Sequence, residues 1–158
     1  MAKVKTNAMR ILDTQKVSYE ILTYDANDGK IDGVAVAGKI GKEPSQVYKT
    51  LVAVGASKSL YVFVIPVEAE LDLKKAAKEA GEKNVEMLPV KDIQKFTGYI
   101  RGGCSPIGMK KSYPTFLDVS SRDLETIIVS AGKIGFQVEL APEELVKAAS
   151  GKYAPIIK

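Results

Sequence analysis

The sequence predicts an α/β fold of the α+β kind. We expect a single domain over residues 1–158, with a curved, mainly antiparallel mixed sheet, barrel-like at its core and flanked by helices. Three observations predict it. Strand-like runs follow one another across short turns, as in "VYKTLVAVG" and "LYVFVIPV". Short helical patterns separate these groups without the regular βαβ order of a doubly wound sheet. No G-x-G-x-x-G follows a strand, and no G-x-x-x-x-G-K-[ST] loop occurs. A length of 158 residues with 46% apolar content suits one domain with a sizeable core.

The elements follow in order. "TNAMRILDTQKV" places Met9, Leu12 and Lys16 at helical spacing, with Thr6 or Asn7 as N-cap. "SYEILTY" alternates and is rich in β-formers, so it reads as a strand. After the turn-rich "DANDGKIDG" a helix runs from about Asp32, and Gly41 stops it. "EPSQ" is a helical turn with Pro44 at its first position. The two apolar runs then form a hairpin across "ASKS". "LDLKKAAKEAG" is a helix between Asp72 and Gly81. "VEMLP" is a short strand, and "PVKDIQKF" a short helix with Pro89 at its first position. "PTFLDVS" and "ETIIVSAG" read as strands, "GFQVEL" pairs with the second across "AGKIG", and "PEELVKAAS" closes with a helix.

Composition restricts the chemistry. Lys and Arg total 23 against 19 Asp and Glu, a net charge of +4. That mild excess permits an anionic partner such as RNA without requiring one. There is no histidine, which removes Ser-His-Asp and Cys-His catalysis and the usual zinc spacings. No cofactor is called for. The single cysteine makes no internal disulfide and fits a reducing compartment. The opening "MAKVKTNAMRIL" has no long apolar h-region, and "LYVFVIPV" is far too short to span a membrane. The expected location is cytoplasmic, with neither membrane nor DNA as a partner.

Several residues break the local pattern. A strand through "VYKTLVAV" has two apolar faces, and Lys49 puts a charge on one of them. Two readings stand: a strand-end lysine that snorkels to water, or a cation at the mouth of a cleft awaiting an anion. In "GYIRGGCSPIG", Gly102 and Gly103 either form a mobile turn or present free amides to an anion or oxyanion. Ser130 ends a strand and either satisfies its own turn or points into a neighbouring cleft. Tyr24 is a half-buried strand aromatic or part of the same wall. Cys104, with no histidine to activate it, has little claim to be a nucleophile.

Together "QVYKTL", "LDLKKAAK", "VEML", "TGYIRGGCSPIG", "PTFLD" and "TIIVSAGKIG" resemble the YbaK/EbsC family of aminoacyl-tRNA deacylases, relatives of the editing insertion domain of bacterial prolyl-tRNA synthetase. The likeness runs from about Asn7 to Leu145 and is closest to the YbaK type, which clears cysteine from mischarged tRNA(Pro). It implies the editing-domain fold and a substrate of mischarged tRNA, held by its acceptor end. Prolyl-tRNA synthetase is an implied partner in a ternary complex. Residue by residue, the likeness implies that Lys49 holds the 3′-terminal nucleotide, that the Gly102 amide meets the ester carbonyl, and that Ser130 belongs to the catalytic set. Tyr24, Thr50, Gly103 and Gln137 are implied on the substrate side, and Arg101, Lys110 and Lys111 near the tRNA phosphates. The implied chemistry is attack by the substrate's own thiol on its ester, giving a thiolactone. The chain departs from the family at Ala131, Ile134 and Gln137, which stand where a glycine, an arginine and an aspartate are usual. The alternatives are a deacylase for another small amino acid, such as Ala-tRNA(Pro), and a non-catalytic tRNA- or nucleotide-binding module.

Overall fold

In the computed structural model, which describes residues 5–158, eight strands form two sheets rather than one. The first four residues of the expected domain lie outside the described residues. A three-stranded sheet has the order β1 (Glu20–Thr23), β7 (Phe136–Leu140), β6 (Ile127–Ser130), antiparallel throughout. A five-stranded sheet has the order β4 (Val85–Met87), β2 (Tyr48–Gly55), β3 (Leu60–Pro66), β5 (Thr115–Asp118), β8 (Lys152–Ala154). Its β4–β2–β3 part is antiparallel, whereas β3–β5 and β5–β8 are parallel. A parallel bridge between Val47 and Ile128 links the two sheets, and no closed barrel results. The mainly antiparallel, mixed character matches the sequence reading. The barrel-like closure does not, because among the described residues the edges of β1 and β4 stay unpaired.

Each sheet face has a reason in its alternation. On β2, Tyr48 and Val52 share one face, while Leu51 and Ala53 share the other. Through Tyr48 the first face joins the inner core with Val62, Val64, Ile127, Val129, Val138 and Leu140, while Val52 packs with Leu88, Tyr99 and Cys104. Helix α1 (Asn7–Thr14), capped by the Thr6 hydroxyl accepting from the Met9 N–H, adds Met9 and Leu12 to it. Helix α5 (Pro142–Ala148) adds Leu145. The second face holds Phe63, Ile65 and Phe116 under helix α3 (Leu73–Ala80), which contributes Ala76 and Ala77. Asp72 caps α3, and Gly81 ends it in the left-handed region. Helices α2 (Gly33–Ile40) and α4 (Val90–Thr97) flank β2 and complete the frame of the site. Pro89 is the N-cap of α4 rather than its first residue. Among the described residues no helix is long and apolar enough to cross a membrane.

Candidate active site

β4 pairs with β2 only at Ala53, Val54 and Gly55, so the first half of β2 has an unpaired edge. The Leu88 N–H donates to the Val52 carbonyl from that side. By strand alternation the peptide groups of Thr50 face the same edge. Three segments close around it: the N-terminus of α2, the glycine loop after α4, and the paired ends of β6 and β7 at Ser130 and Gln137. They enclose an outer cavity of about 690 Å³ and an inner recess of about 110 Å³. Ile31, Gly33, Lys49, Thr50, Val67 and Gly102 line both.

Of the residues expected at the site, Lys49, Thr50, Gly102, Ser130 and Gln137 come together in the recess. Ser130 and Gln137 are direct antiparallel partners across β6 and β7, close to the bridge between Ile128 and Val47, the residue before β2. Tyr24 and Gly103 line neither cavity. Tyr24 donates its N–H to the Gly135 carbonyl, behind the β6–β7 turn, and its buried hydroxyl has no hydrogen-bond partner among the described residues. Gly103 packs its backbone onto that same turn: a Cβ there would come within 3.0 Å of the Ile134 nitrogen. Arg101 lines the outer cavity. Lys110 does not; its ammonium donates to the Lys95 carbonyl. Lys111 lines a separate pocket near Ser150.

The cleft is chemically uncompensated. Lys49 makes no ion pair and no side-chain hydrogen bond among the described residues, although it is only partly exposed. The Thr50 hydroxyl is buried without a partner among the described residues. The Gly102 N–H donates to no protein acceptor among the described residues, whereas the next amide, on Gly103, closes a turn to the Ile100 carbonyl. The carboxylate of Asp32, on the cleft rim, accepts from the Ala35 N–H as the cap of α2. The site therefore offers a cation, a free amide and a free hydroxyl, which suit an anion beside a polarised carbonyl. Among the described residues no cluster is placed to hold a metal ion.

Cys104 stands in the recess wall, and burial pushes its thiol up to about 11. It is protonated at neutral pH and is no nucleophile. Behind it, burial raises the Tyr99 hydroxyl to about 12, and that hydroxyl donates to the Ile107 carbonyl across the loop. Both side chains brace the loop from inside.

Two site residues escaped the sequence reading. Ile31 lies against Gly102, where a Cβ would meet the Ile31 Cδ1 at 2.7 Å and the backbone has φ +85°. The positive φ favours glycine there, and a Cβ would also push the tip of the Ile31 side chain aside. Gly33 packs so closely on Val67 that a Cβ there would overlap the valine side chain. Within "DANDGKIDG" neither contact carries a local signal, since each joins segments far apart in the chain.

Comparisons with known proteins show the family to which the chain belongs. Residues 32–148 match the family described as "Aminoacyl-tRNA editing domain", a span that holds every cleft residue named above except Ile31. A protein of Enterococcus faecalis named "Putative Cys-tRNA(Pro)/Cys-tRNA(Cys) deacylase EbsC" is 49% identical over 96% of this chain and 93% of its own length.

This chain belongs to the aminoacyl-tRNA editing family, as a YbaK/EbsC-type deacylase.

The editing family also meets the synthetases here. A proline–tRNA ligase of Shouchella clausii is 28% identical over 63% of this chain and 17% of the ligase. A crystal structure described as a "putative trans-editing enzyme for prolyl tRNA synthetase" superposes with a TM-score of 0.85 at 22% identity, covering 99% of each chain. That likeness shows the editing fold.

Proposed function

We propose that the chain, acting as a single editing domain, removes cysteine from mischarged Cys-tRNA(Pro), and from Cys-tRNA(Cys), in trans. The observation that carries this is the convergence of an unpaired Lys49, a free Gly102 amide and the Ser130–Gln137 pair on one small recess. In this reading Lys49 meets the phosphate of the 3′-terminal nucleotide, and the ester carbonyl lies against the Gly102 N–H. The amino-acid side chain enters the recess, whose roughly 110 Å³ favours small residues.

The reacting groups then need no protein nucleophile. The substrate's sulfur bonds to its own ester carbon, the bond from that carbon to the ribose oxygen breaks, and the thiol proton ends on that oxygen. The products are free tRNA and a four-membered cysteine thiolactone. An attacking group held in place reaches effective molarities on the order of 10⁵ M or more. The developing oxyanion is met by the Gly102 amide. Recognition is confined to the acceptor end, so a ternary complex with prolyl-tRNA synthetase supplies tRNA identity.

A panel of tRNA(Pro) charged with Cys, Ala, Ser and Pro tests the reading. Rapid release from the cysteinyl substrate with a thiolactone product is expected. Preferential release of alanine moves the enzyme to another small amino acid, favoured by the neutral Gln137 buried in the recess. Tight binding of every charged tRNA without release makes the chain a binding module and overturns the proposal.

A further inference from the structure

We propose that the groove between α3 and β4 is a second contact surface of the editing domain, which takes the phosphates of the tRNA strand as it leaves the cleft. This inference rests on reading the cleft as the ester site.

The groove lies on the sheet face that carries the Lys49 and Leu51 side of the outer cavity. Lys49, Leu51 and Ala53 alternate onto one side of β2. The register pairs Ala53 with Met87 and Gly55 with Val85, so those two β4 side chains share that side. Leu51 lines the outer cavity and packs against the cluster beneath α3. Val85 lines the groove together with Lys74, Lys78 and Lys83. Moving from Lys49 to Gly55 along β2 covers about 20 Å. Ala53 is covered by α3, but the lysines on the exposed side of that helix lie within reach of a strand that leaves the cleft past Leu51.

The charges on this surface are unspent. Lys74 and Lys78 stand one helical turn apart on the same flank of α3, both exposed. Neither they nor Lys83 forms an ion pair or donates a side-chain hydrogen bond among the described residues. Glu82 also lines the groove of about 300 Å³, but its carboxylate oxygens accept from Ser57 and Tyr61. By contrast, Lys75 on the other flank of α3 donates to the Ile157 carbonyl. The large hollow beside β1 and β7 carries Asp13, Glu20 and Glu139, and a polyanion is disfavoured there. Of these two surfaces only the α3–β4 groove complements a phosphate backbone.

The experiment compares two substrates. One is Cys-tRNA(Pro); the other is the cysteinyl ester of adenosine, too short to reach the groove. Replacing Lys74, Lys78 and Lys83 together by glutamine is expected to raise KM for the tRNA about tenfold at low salt. It should also flatten the dependence of log(kcat/KM) on log[salt] by about 2. Cleavage of the short ester should stay within twofold. An unchanged KM and salt slope with the tRNA overturns the inference. So does an equal loss when Lys95, Lys110 and Lys111 are replaced instead, because the effect is then one of net charge. Failure of the underlying reading has a different signature: wild-type enzyme leaves both substrates uncleaved.

Discussion

Two hollows of this molecule contrast. The larger, about 910 Å³, lies beside β1 and β7, and polar groups on its wall are paired. Glu139 accepts from Gln46 and Thr126 and faces Lys42 at 3.3 Å. Asp13 accepts from Lys5 and Tyr19. The cleft at β2 is smaller, yet its Lys49, its Thr50 hydroxyl and its Gly102 amide face no protein partner among the described residues. Unmet polar groups inside a fold are costly, typically about 1–3 kcal/mol each. A pairing network stabilises the fold; unmet groups lining one space leave it open to a polar ligand. The difference teaches that unmet polarity, which the Tyr24 hydroxyl outside the cavities shares, points to the cleft only where several such groups line one space.

The contrast breaks most visibly at Gly102. Gly102→Ala drives a Cβ into Ile31 at positive φ. We expect deacylation to fall by about a hundredfold or more, with a stability loss of about 1–2 kcal/mol. Wild-type kinetics in that variant would remove the loop from the site.

Thr50→Val is expected to lower deacylation about tenfold while leaving stability unchanged or raising it slightly, because an unsatisfied hydroxyl is removed. A destabilised but fully active variant would mean that the hydroxyl serves the fold. Thr126→Val probes the opposite hollow. It loses a hydrogen bond to a carboxylate and should cost about 1 kcal/mol in denaturant unfolding with kcat/KM unchanged.

The smallest effect belongs to Cys104. Cys104→Ala should keep activity within twofold. The wild-type thiol stays protonated in the fold until about pH 11, against 9.0 when unburied. Between those values the unfolded chain binds fewer protons than the folded one, so stability falls as pH rises. Urea unfolding from pH 8 to 11 should show a shallower fall in the alanine variant; parallel curves would contradict the burial argument.

Elements with local signals were legible in the sequence. Helix α3 shows its Asp72 cap and Gly81 stop, and the β2–β3 hairpin shows two apolar runs across a short link. Strand β8 was not legible. "KYA" is three residues long and exists through parallel pairing with β5, a partner far back in the chain. "PTFLDVS" was read as one strand, but it turns at Asp118. The carboxylate there accepts from Ser120 and Ile156, and a 3-10 turn follows. At the site, Lys49 stood out because it broke a strand pattern, while Ile31 broke none. Gly103 was expected beside the substrate; what the structure shows of it is close packing on the backbone of residues 133–134. A glycine's use depends on what approaches it, which its neighbours in sequence do not record.

The central claim is that the lone ammonium of the cleft holds the substrate and is not needed by the fold. Lys49→Ala, assayed on Cys-tRNA(Pro) alongside thermal unfolding, tests it most directly. The account predicts a loss of deacylation of about a hundredfold or more, with Tm unchanged to within about 2 °C. Near-normal release of cysteine, or a large fall in Tm, would contradict it.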